Sequence, residues 1–185
     1  MRRPLALLLL SAALAVPPAH AGTATLLHAP APRPAASLLL VLEAGPDGVA
    51  VRDARVAPIR TKAAHAPAAV EADGLLLALT DAAGEPLVVA EVAVPWMLHG
   101  PYLDEDGALR CRGERQERVT FGVRLPLPPG AESLVVAERG AASPAEAADL
   151  VRAFRARPAD FGLVVRGGGR LAELPRLPAT AGGPP

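Results

Sequence analysis

The sequence predicts a mainly β protein, an antiparallel two-sheet sandwich of about seven strands with one C-terminal helix. Three observations carry that prediction. Residues 118–125 alternate strictly, with Val119, Phe121, Val123 and Leu125 on one face and Arg118, Thr120, Gly122 and Arg124 on the other. That is the period-two pattern of a strand with one buried and one wet face, whereas a helix would scatter the four apolar residues around its circumference. Further short apolar runs recur between turn signals, the grammar of an all-β chain. Finally, 21 prolines punctuate the sequence too often for long helices.

In chain order, residues 1–21 read as an export signal. Arg2 and Arg3 form a charged start, and residues 5–16 are an apolar run too short to span a bilayer. Ala19 and Ala21 then supply the small residues a signal peptidase reads, which places cleavage before Gly22. No cysteine follows the run to be lipidated, and no second long apolar stretch predicts stable membrane insertion after cleavage. The expected location is the periplasm or the medium. Eighteen of the 19 basic residues are arginine, Lys62 being the exception. Together with the Ala, Pro and Gly content, this indicates a GC-rich bacterial genome. Removal of Arg2 and Arg3 leaves 17 basic against 19 acidic side chains, a net charge of −2, which argues against a nucleic-acid partner.

Residues 22–36 read as a proline-rich linker, and 37–166 as the sandwich domain. Residues 38–43 are a strand candidate, Gly45-Pro46-Asp47-Gly48 a turn, and Val49 and Val51 restart the alternation, with Val56 further along. Residues 74–80 are almost wholly apolar, as in a centrally buried strand. Residues 81–86 turn the chain into a return strand at 87–94, which Pro95 ends. Residues 96–102 read as a loop, 109–112 as a short strand and 131–138 as a last strong one. Ser143-Pro144-Ala145-Glu146 has the capping-box spacing and opens a helix expected over 144–157. Gly167, Gly168 and Gly169 read as breakers, with a disordered tail over 167–185. The few aromatics leave the core to Leu, Val and Ala. Such a pattern fits an immunoglobulin-like sandwich, without its disulfide because Cys111 is alone.

The segments LTDAAGEPLVVAEVAVPW, LDEDGALRCRG and ERVTFGVRLPLPPGAESLVVAER resemble the small immunoglobulin-like β-sandwich domains of exported bacterial proteins. Similar sandwiches precede the catalytic domain in some secreted zinc metallopeptidases. The likeness covers roughly residues 37–140 and implies a fold and a compartment. It brings no catalytic residue, since the peptidase motif of two histidines and a glutamate on one helix turn does not occur in this sequence.

The chemistry-bearing residues are few. Leu109 and Cys111 share a strand face opposite Arg110 and Arg112, so Cys111 reads as a small buried hydrophobe, with an intermolecular disulfide or a reactive thiol as the alternatives. His65, His99, Met97 and Cys111 have the softness that copper prefers, but the residues after Cys111 lack the His and Met of a blue-copper loop. Residues 104–107 open like a calcium loop and lack its later oxygens, and so read as an acidic turn. Ser37, Ser133 and Ser143 lie in no nucleophile elbow. The best binding candidate is Trp96, His99 and Tyr102, which brings the one tryptophan and the one tyrosine together at a strand end. Aromatic platforms there bind sugars and partner peptides, and a plug for one end of the core is the plainer use of Trp96. The sequence therefore predicts an exported, non-enzymatic binding or accessory module for another envelope or secreted protein, with no cofactor. The alternative is a copper carrier or an enzyme that uses His65, His99 and Cys111.

Overall fold

The computed structural model describes residues 20–21, 24–31, 34–59, 74–106, 108–144 and 146–175. Its strands are β1 (His20–Ala21), β2 (Ala24–His28), β3 (Ser37–Gly45), β4 (Gly48–Ala57), β5 (Gly74–Thr80), β6 (Pro86–Ala93), β7 (Met97–Leu103), β8 (Leu109–Arg115), β9 (Val119–Pro126), β10 (Ser133–Arg139) and β11 (Leu163–Arg170), with one helix, α1 (Ala147–Arg155). They form a four-stranded sheet in the order β1-β9-β3-β4, a five-stranded sheet in the order β11-β10-β5-β6-β2, and a separate hairpin, β7-β8. Every pairing is antiparallel except that of the two-residue β1 with β9. The protein is thus mainly β with one helix, and its two sheets hold more strands than the seven expected.

The alternation of β9 sets the first layer. Val119, Phe121, Val123 and Leu125 lie directly opposite Ala44, Leu42, Leu40 and Leu38 of β3, and all eight are buried. Each large side chain taken out of water there is worth about 1.5–3 kcal/mol. β4 keeps its apolar residues inward through a bulge between Val41 and Leu42. Before the bulge Val49 and Val51 face in; beyond it Ala54 does. Without the extra residue, half the strand would turn its apolar side to water.

β5 explains why its sequence hardly alternates. Leu75, Leu77 and Leu79 join the core between the sheets. Leu76 and Ala78 point the other way and pack with Leu150, Ala153 and Phe154 of α1. The architecture is therefore three layers: sheet, sheet, helix.

Four expectations need correction. Residues 24–28 are not linker: they pair as β2 along the edge of β6. The helix starts at Ala147, three residues late, because the Ser143 hydroxyl donates to the Gly162 carbonyl at 2.8 Å instead of capping it. Residues 97–102 are strand, not loop. Gly167, Gly168 and Gly169 lie inside β11. A Cβ at Gly167 would stand 2.4 Å from the Val49 carbonyl oxygen, and one at Gly168 2.1 Å from that of Leu134. The glycines therefore let β11 pass tightly between β10 and the edge of β4. Beyond β11, Leu174 is buried in the main core and the Ala54 N–H donates to the Pro175 carbonyl at 2.8 Å. The export-signal assignment falls on residues of which only His20 and Ala21 are described.

Candidate functional site

The site forms where the chain leaves the five-stranded sheet. β6 ends at Ala93, and Pro95 cannot extend the ladder. The Trp96 N–H turns back to the Val94 carbonyl at 2.8 Å, and the Gln116 N–H donates to the Trp96 carbonyl at 2.7 Å. The second bond closes the root of the β7-β8 hairpin. Trp96 is half-buried, with part of its ring packed on the core between the sheets.

Trp96 also lines a cleft of about 530 Å³. Its walls come from three places distant in sequence: the β3-β4 turn at Gly45 and Pro46, the hairpin root at Arg115, Gln116 and Glu117, and Glu138 with Arg166 on β10 and β11. The last two form an ion pair, Arg166 Nε to Glu138 Oε2 at 2.7 Å. Arg115 and Glu117 are exposed, and among the described residues neither has an ion-pair partner. Two arginines and two glutamates leave the lining without net charge.

A charge network braces the turn wall. Arg52 grips Glu43 through two bonds, Nε to Oε2 at 2.9 Å and NH2 to Oε1 at 2.8 Å. Arg118 reaches Glu43 Oε1 at 2.7 Å and Asp47 Oδ2 at 3.0 Å, passing beside Gly45. Hydrogen bonds from Arg52 first and Arg118 second hold the Glu43 carboxyl down at about 2, against the usual 4.5. Strand β9 thus supplies core, and Arg118, just before it, supplies a strut for the turn that walls the cleft.

Of the residues singled out from sequence, Trp96 lies at the cleft. His99 and Tyr102 lie further along β7, in register with Gly113 and Arg110, and their side chains fall outside the described part of the structure. His65 also falls outside the described residues. Cys111 is exposed and free, opposite Pro101, which corrects its reading as a buried hydrophobe. The hairpin joins neither sheet, and among the described residues no layer covers the face that Cys111 shares with Leu109, itself 72% exposed. Among the described residues no three His, Cys, Asp or Glu side chains converge as a metal site. Asp104 is a turn former: its Oδ1 accepts from the N–H groups of Asp106 at 3.1 Å and Ala108 at 2.8 Å.

Sequence reasoning missed Arg115, Gln116 and Glu117 because they lie within the charged run 110–118, which looks like an ordinary solvated edge. It missed Glu138 and Arg166 because only the β10-β11 pairing brings them together. No protein-family model, no curated protein and no solved structure matches this chain.

Proposed function

We propose that this chain is an exported, non-enzymatic sandwich of the immunoglobulin-like kind, acting in the periplasm or outside the cell as a binding or accessory module for another envelope or secreted component. The observation that carries the binding role is the cleft at Trp96, where a core-anchored aromatic meets a rim of polar side chains. Ligand sites commonly combine an apolar platform with a few convergent polar groups in this way. Two packed antiparallel sheets support the immunoglobulin-like comparison, and the resemblance to accessory sandwiches of secreted peptidases supports the accessory role. Export rests on the charged start, short apolar run and small residues of segment 1–21. The charge of −2 favours a protein or small-molecule partner over nucleic acid.

The test is to express the full chain in a bacterial host with a photo-crosslinking residue at Glu117, on the cleft rim, or at Arg124, on the outer face of β9. The expected result is a chain that begins at Gly22 in the periplasm or medium and forms a discrete adduct from position 117 alone. A full-length cytoplasmic chain contradicts export. The same adduct from both positions, or none from either, contradicts the binding role.

A further inference from the structure

We infer that the ligand of the Trp96 cleft is a neutral carbohydrate; this rests on the reading of the cleft as the binding site. Three features of the cleft point there. The first is the platform. Trp96 is held from behind by the core and fixed along its backbone by hydrogen bonds on both its N–H and its carbonyl. A rigid indole edge or face presents a flat apolar surface to a partner at little entropic cost, and the C–H face of a sugar ring is a matching surface.

The second is the charge balance. Arg115 and Arg166 offer forks of N–H donors, Glu117 and Glu138 offer only acceptors, and Gln116 offers both. Sugar hydroxyls donate and accept, so a mixed rim satisfies them. A polyanion would need an excess of arginine and a basic peptide an excess of carboxylate, and this lining has neither.

The third is the backbone. Peptides that bind β domains commonly add a strand to a free sheet edge. At this cleft the N–H groups of Trp96 and Gln116 are already committed, at 2.8 and 2.7 Å. At these two positions recognition is left to side chains, which suits a sugar better than an extended peptide.

Trp96 is the only tryptophan, so its emission reports the site alone. The experiment titrates the full chain with tetramers of β-1,4-glucose, β-1,4-N-acetylglucosamine and α-1,4-glucose, and in parallel with neutral, acidic and basic tetrapeptides and a sulfated oligosaccharide. The expected result is a saturable emission shift with at least one neutral tetrasaccharide. Its affinity changes less than about twofold between 0.05 and 0.5 M salt, because a neutral ligand has no ion pairs to screen. Calorimetry with the same sugar shows about tenfold weaker binding for Trp96→Ala and a several-fold loss for Arg115→Ala. The exposed Arg115 variant carries the test if Trp96→Ala does not fold. A shift with peptides or the sulfated sugar alone overturns the carbohydrate inference and leaves the binding role standing. No shift with any of them, on a folded chain, overturns both.

Discussion

β5 and β8 are both strands of seven residues, and they occupy opposite extremes of the molecule. β5 is buried throughout, with the four-stranded sheet on one face and α1 on the other. Among the described residues β8 pairs only with β7, and no sheet covers the residues that its alternation places together. Leu76 is fully buried, whereas Leu109 is 72% exposed. A strand's own pattern therefore tells which residues share a face, and the layers beyond it decide whether that face is dry. Cys111 shows the consequence: its face was identified correctly from the alternation, and its burial was not.

The largest expected contrast is between the two leucines. Leu77→Ala should cost about 2–5 kcal/mol in chemical denaturation, because it opens a cavity between the sheets. Leu109→Ala should stay within about 0.5 kcal/mol of the parent, since the residue has little burial to lose. Similar losses for both would mean that the hairpin folds onto a sheet.

Next comes the seam at β11. Gly168 sits at φ +127° with no room for a Cβ beside Leu134, so Gly168→Ala should cost about 1–3 kcal/mol. Gly84, at φ +83° in an open turn, should cost less on the same change because nothing stands within 4 Å. Equal effects would show that backbone conformation, and not the tight passage between β10 and β4, demands the glycines.

A smaller effect follows from Glu43. Its carboxyl titrates lower in the folded protein than in the unfolded chain, so its contribution is complete above about pH 4.5 and is lost as the pH falls through about 2. Glu43→Gln should flatten that part of the stability–pH curve and leave the region above pH 6 with the same slope. An unchanged acid limb would place the Arg52 and Arg118 contacts outside the folded-state energetics.

The smallest effect is at Cys111. Cys111→Ser should leave the melting temperature unchanged within about 1 °C, while a thiol reagent should modify native Cys111 without denaturant. Protection until unfolding would mean that the hairpin face is covered.

Much of the sandwich was legible because it is written in local periods. The faces of β9 and β3, the two-sided burial of β5, and the turns at 46–47 and 81–85 all follow from side-chain alternation and turn chemistry over a few residues. What escaped depends on distant partners. β2 hides beside the prolines and exists because the edge of β6 needs pairing. Gly167, Gly168 and Gly169 look like disorder until Val49 and Leu134 are placed beside them. Ser143 has a cap's sequence and gives its hydroxyl to Gly162. At the site, Trp96 stood out as the one tryptophan of the chain. The cleft around it joins positions from 45 to 166, a convergence no local pattern encodes.

The most direct test of this account is acrylamide quenching of Trp96, because everything proposed for the site requires a tryptophan packed on the core and open to the cleft. The expected quenching constant is clearly below that of the urea-unfolded chain, clearly above that of a sealed interior indole, and little changed in Leu109→Ala. A constant near zero would make Trp96 a plug of the sandwich end. A constant equal to that of the unfolded chain would remove the platform on which the binding site is built.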